Sequence, residues 1–102
     1  MKKMTNNTKF DIVPSNKFNK QLKKITKQGK KIDILKNIIL KLANGEKLEA
    51  KYKDHALIDT QYYKNCRECH IEPNWLLIYK YKDKELILYL VETGSHSDLF
   101  DM

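Results

Sequence analysis

Three histidines, His55, His70 and His96, fall in the C-terminal half of a 102-residue chain, each beside an expected strand end or loop. Histidine is the side chain whose ordinary pKa suits both proton removal and proton donation near neutrality. Near His70 stand the only arginine, Arg67, and the only tryptophan, Trp75, in the run Cys66-Arg67-Glu68-Cys69-His70-Ile71-Glu72-Pro73-Asn74-Trp75. Cleavage of RNA through its 2′-hydroxyl needs a base for that hydroxyl and an acid for the leaving 5′ oxygen. It also needs a cation or donor set for the non-bridging oxygens. The histidines suit the first two tasks, and Arg67 or a lysine suits the third. Trp75 and Phe100 suit stacking against bases, the usual grip on single-stranded RNA. Taken singly, each histidine is more ordinarily a satisfied loop or core residue. Three at strand ends, beside these aromatics, point to a site assembled from the Glu72-Pro73-Asn74 corner and the tail Glu92 to Phe100.

The elements that position these groups follow from periodicity. Phe10 to Val13 alternates and is β-prone, and Pro14 ends it. Ser15 is a good N-cap, and Phe18, Leu22 and Ile25 form one helical stripe that Gly29 closes. A second helix is expected at about 31–44, where Ile32, Leu35, Ile38, Ile39 and Leu42 share a face before Gly45. Residues 46–60 read as irregular. Strands are expected at 62–70, 74–82 and 85–92, with Asp83-Lys84 as a two-residue hairpin turn and the apolar run 86–91 as a central strand. Residues 95–100 form a closing turn or short helix. The order βααβββ gives an α+β fold: two N-terminal helices packed on an antiparallel sheet of about four strands. Residues 1–9 are expected to be a flexible segment and 10–102 a single domain.

The net charge of +7 is unevenly spread. Residues 1–53 carry 15 lysines against four acids, a net of +11, and residues 54–102 have a net of −4. A basic half suggests a polyanionic or acidic partner, and a lysine-rich solvated surface is its bland alternative. No apolar run approaches a membrane span, and no signal segment is visible, so the cytoplasm is the expected compartment. Arg67 and His70 differ by three residues, so a regular strand would send them to opposite faces. Placing both in one site requires His70 to leave the strand ladder.

Three blocks carry a family resemblance: Asp54-His55-Ala56-Leu57, Arg67 through Tyr79, and Gly94-Ser95-His96-Ser97-Asp98-Leu99-Phe100. In order and spacing they closely resemble the YafQ branch of the RelE/ParE toxin superfamily, over about residues 10–101. The resemblance implies a RelE-like fold and a bacterial type II toxin that cleaves mRNA in the ribosomal A site without a metal. It also implies a cognate antitoxin as inhibitor. Functional positions of the family fall here on His55, His70, Trp75, His96 and Phe100, and Arg67 matches a family arginine proposed to contact the scissile phosphate. The basic helices would meet ribosomal RNA. Two positions depart from the pattern. Asn74 stands where the family commonly has aspartate; it keeps hydrogen bonds but cannot act as a base or offset a histidinium. Glu92 replaces an arginine, putting an anion where a cation would stabilise a phosphorane.

Other readings of the same residues are weaker. Cys66-Arg67-Glu68-Cys69-His70 matches the C-x-x-C-H pattern of covalent haem attachment, which requires export. A zinc site from Cys66, Cys69 and His70 lacks a fourth ligand, and thiols three apart face opposite sides of a strand. Buried small apolar thiols are the simpler reading, so neither metal nor cofactor is expected. The competing class is a binding module: a toxin fold that engages an antitoxin, or gyrase, without cutting RNA. The three histidines argue against the gyrase version and Glu92 argues for a non-cleaving one. A plain RNA-binding domain would leave the histidine cluster unexplained.

Overall fold

The computed structural model describes residues 8–100. The expected flexible segment 1–9 falls largely outside them. Strand β1, Asp11–Pro14, leads into helix α1, Asn16–Lys27, and helix α2, Ile32–Ala43. The two-residue strand β2, His55–Ala56, comes next, then β3, Arg67–Glu72, β4, Trp75–Lys82, and β5, Ile87–Gly94. Helix α3, His96–Phe100, closes the described chain.

Among the described residues the sheet has five strands in the order β1-β5-β4-β3-β2. This corrects the expected antiparallel sheet of about four: β1 pairs parallel to β5, which makes the sheet mixed, and β2 adds a short edge beside β3. The shape of α1 follows its sequence closely. Ser15 Oγ accepts the Phe18 N–H at 2.9 Å, and Gly29, at φ +81°, takes the left-handed position just past the C-cap. Phe18 and Ile25 of α1 and Leu35, Ile38, Ile39 and Leu42 of α2 form one core with Cys69, Ile71, Trp75, Leu77 and Tyr79 of the sheet. Both helices therefore cover the same sheet face. On the other face, Leu76 and Ile78 pack with Tyr63, Cys66 and Leu99, so α3 and the loop before β3 cover part of it.

That loop differs from expectation. Residues 62–66 were expected to continue a strand, yet Leu57 N–H bonds Cys66 O at 2.9 Å and Thr60 N–H bonds Tyr63 O at 3.0 Å. These internal bonds, with Asp59 Oδ1 accepting the Asn65 N–H, satisfy the backbone without a ladder. The 83–84 turn is also different. A single 3-10 turn spans Asp83–Glu85, and Leu86 takes φ +54° in place of the missing glycine. Among the described residues no helix is long and apolar enough to cross a membrane.

Candidate active site

The site rests on strand parity. Glu68 and His70 are two apart on β3 and share the face opposite the helices. His55, on β2, pairs directly across from Glu68. The Glu68 side chain is 6% exposed, and its Oε1 lies 3.5 Å from His55 Nε2 and 3.6 Å from His70 Nε2. One buried carboxylate thus sits between two imidazoles.

His96 arrives from the other direction. Leu76 of β4 pairs with His70 on one side and with Gly94 on the other. That register brings the start of α3 beside His70, and the two rings are 5.8 Å apart between centroids. Ser95 and Asp98 cap α3 reciprocally: Asp98 N–H donates to Ser95 Oγ at 3.1 Å and Ser95 N–H donates to Asp98 Oδ2 at 3.3 Å. These bonds, the backbone one first, hold the Asp98 carboxyl below its ordinary pKa. Asn74 Oδ1 accepts the His96 backbone N–H at 3.3 Å and faces His96 Nδ1 at 3.4 Å. Two donors aimed at one amide oxygen favour the tautomer with the proton on Nδ1, leaving Nε2 for a substrate. A Cβ on Gly94 would lie 3.2 Å from Asp98 Cβ, so this close approach of strand and helix needs glycine.

Phe100 continues from His96, with ring centroids 6.2 Å apart, and meets Tyr63 edge-on at 5.8 Å. A cavity of about 730 Å³ opens here, walled by His55, Leu57, Tyr63, Phe100, Glu92 and Lys17 among others. Glu92 does not project freely into it. Its Oε2 accepts the Tyr63 hydroxyl at 2.6 Å, and its Oε1 accepts Gln21 Nε2 at 3.1 Å and pairs with Lys17 Nζ at 3.3 Å. Burial, reinforced by the Glu92 bond, pushes the Tyr63 phenol well above its ordinary pKa, so at neutral pH it donates to the carboxylate.

Two expected members of the site stand elsewhere. Arg67 faces the helix side, where it forks onto Asp54 at 3.4 and 3.3 Å while Tyr79 OH donates to Asp54 Oδ1 at 2.6 Å. His70 stays in the ladder opposite Leu76, and the bulge falls after it, between His70 and Glu72. The parity conflict is therefore resolved by Arg67 lying outside the site, and the expected departure of His70 is corrected. Trp75 was expected to stack on bases, but it is 1% exposed and its Nε1–H donates to Thr93 Oγ1 at 3.0 Å. A closed indole with a satisfied donor is core. His55, His70, His96, Asn74 and Phe100 gather as expected.

Sequence reasoning missed Glu68. The signal was available: an acid two residues before His70 on a strand must share its face. The structure also brings Glu68, His70 and His96 close enough that one ligand atom from each lies within 4.8 Å of the others, a set that could hold a metal ion. This differs from the thiol set weighed from sequence; Cys66 and Cys69 are both buried, in separate clusters on opposite faces.

Solved bacterial toxins share this architecture. The toxin of the Escherichia coli DinJ-YafQ complex aligns with a TM-score of 0.80 and 39% identity, covering 89% of this chain and 98% of that one. A metal-bound toxin from Helicobacter pylori aligns with a TM-score of 0.80 and 44% identity, covering 87% and 97%. The fold and its half-buried histidine face thus define a small α+β toxin. Residues 10–101 match the family described as bacterial toxin of type II toxin-antitoxin system, YafQ, and the chain belongs to that family. The mRNA interferase toxin YafQ of Escherichia coli strain B / BL21-DE3 is 41% identical over 91 residues, covering 88% of this chain and 95% of that protein.

Proposed function

We propose that the protein is an endoribonuclease toxin that cuts mRNA in the ribosomal A site and is neutralised by a cognate antitoxin. The observation that carries this reading is the single face bearing His55, Glu68 and His70, with the His96 ring 5.8 Å from that of His70. Two imidazoles side by side on one face suit a base and an acid.

His70 takes the proton of the 2′-hydroxyl. The Glu68 carboxylate stabilises the imidazolium that forms, as an acid partner orients a base in nucleophilic catalysis. The 2′ oxygen bonds to phosphorus, and the bond from phosphorus to the 5′ oxygen breaks. His96 gives that oxygen its proton from Nε2. Its neighbour Asn74 orients the ring through Oδ1. The products are a 2′,3′-cyclic phosphate and a 5′-hydroxyl. His55 helps to fix Glu68, and Phe100 offers an aromatic surface to a neighbouring base. No step in this scheme calls for a metal. Ribosomal RNA is met by the lysine-rich helices, and the compartment is the cytoplasm.

Glu92 supports a second reading, a toxin fold that binds antitoxin without cutting RNA, because a carboxylate lines the cavity that His55 also lines, at the position where the family resemblance implies an arginine. Induction of the native chain and of His96→Ala in a bacterium, with mRNA ends mapped, separates the two. In-frame cuts and growth arrest that His96→Ala abolishes support the nuclease. Absence of cuts on induction of the native chain sinks it.

A further inference from the structure

We propose that Lys17 supplies the cation that meets the scissile phosphate, with the buried Glu92 as the residue that positions it. The inference rests on the ribonuclease reading above. A phosphorane on the histidine face needs positive charge preorganised beside it. Arg67 cannot provide it, because it is committed to Asp54 on the opposite side of the sheet. Among the described residues that line the 730 Å³ cavity, which reaches His55 of the histidine face, Lys17 is the only lysine or arginine.

The pair Lys17–Glu92 is asymmetric. The Glu92 side chain is 6% exposed and that of Lys17 is 70% exposed. The anion is turned inward, where Tyr63 and Gln21 also hydrogen-bond it, and the ammonium is turned outward. A glutamate fixed by three donors from α1 and the 57–66 loop is an anchor, and its exposed partner Lys17 is held at one end only.

The position of Lys17 in α1 points the same way. It lies in the first turn, just after the Ser15 cap, in a helix with no acid there. A lysine at that end opposes the helix macrodipole, so it does not serve the helix. It does add to the positive potential that the helix start already directs outward. That start is pinned to β5: Ser15 Oγ donates to Val91 O at 2.7 Å, and Thr93 N–H donates to Gln21 Oε1 at 2.9 Å. Strand β5 runs directly into the turn that carries His96. Lys17 and His96 are thus referenced to one strand, and charge at Glu92 is balanced by the neighbouring helix rather than presented to the substrate.

An ion pair with so exposed a lysine usually has little effect on stability, which makes the test clean. Single-turnover cleavage of mRNA on programmed ribosomes is measured for the native chain, Lys17→Gln and Lys17→Arg, with thermal midpoints alongside. Lys17→Gln is expected to slow cleavage about 10²-fold at saturation with an unchanged midpoint, and Lys17→Arg to recover most of the rate. Cleavage by Lys17→Gln at the native rate overturns the inference alone. So does an effect confined to KM, or a failure of arginine to restore the rate. A native chain that cuts no mRNA overturns the ribonuclease reading and this inference with it.

Discussion

Glu68 and His70 face the same side of β3, and the Glu68 Oε1 that lies 3.6 Å from His70 Nε2 lies 3.5 Å from His55 Nε2 as well. A buried acid shared by two imidazoles supports the developing positive charge on whichever imidazole accepts a proton. Glu68→Gln keeps the shape and removes that charge. We expect cleavage to fall about 10²-fold, the low end of the range for general acid–base assistance. The fold should be retained, as read by circular dichroism. Native-rate cleavage by Glu68→Gln would remove the carboxylate from the mechanism.

Arg67 gives the opposite expectation. Its guanidinium serves the Asp54–Tyr79 cluster on the helix side. Arg67→Gln leaves Asp54 with a weaker partner set and should lower stability by about 1–3 kcal/mol. Cleavage at a temperature where the variant is folded should stay within a few-fold of native. A hundredfold loss of single-turnover rate in a folded variant would return Arg67 to the site.

Trp75 and Phe100 separate core from contact surface. Trp75→Ala should cost about 3–5 kcal/mol through lost packing. Trp75→Phe should lose the bond to Thr93 Oγ1 while leaving affinity for an uncleavable 2′-O-methyl RNA unchanged. Phe100→Ala should do the reverse, weakening RNA affinity by about 1–3 kcal/mol if a base stacks there. Equal affinity of native and Phe100→Ala chains would dismiss the stacking role.

How much of this was legible follows from the range of the interactions. Helix α1 could be read residue by residue because its cap, stripe and terminating glycine are local. The edge strand β2 could not: His55 and Ala56 are exposed and acquire strand character only by pairing with β3. Nor could the parallel β1–β5 pairing, which joins Asp11 to Ile87 and leaves no mark in either segment. Trp75 was misjudged because the acceptor for its indole, Thr93, comes from β5. The histidine cluster was visible as a group, and the parity rule foresaw that Arg67 and His70 conflict. What parity could not say was which of them would yield.

The Ser95–Asp98 capping pair gives a pH dependence with a definite sign. The folded carboxyl has a lowered pKa. Its stabilisation of α3 is therefore complete above the ordinary aspartate value of about 3.9 and disappears as pH falls through the lower folded value. Amides of residues 97–100 should exchange faster in acid than those of β4, and Asp98→Asn should bring that loosening to neutral pH. Equal protection of α3 in native and Asp98→Asn chains would refute the capping account.

The Glu68, His70 and His96 set predicts inhibition by zinc or copper ions. Occupying both imidazole lone pairs removes the base and the acid at once. Cleavage should stop on adding the ion and return with a chelator. Unimpaired cleavage at an ion concentration that titrates the free protein would contradict this.

The pairing of β1 with β5 also orders events in time. The β1 edge cannot close until β5 has been made, and the contacts it needs join distant parts of the chain, a slow kind of folding. His96 follows β5 directly, so it joins the other two histidines only when that strand docks. A nascent copy in which β5 has not yet emerged from the ribosome that is making it holds an unfinished sheet, and the face that carries the three histidines is assembled only afterwards.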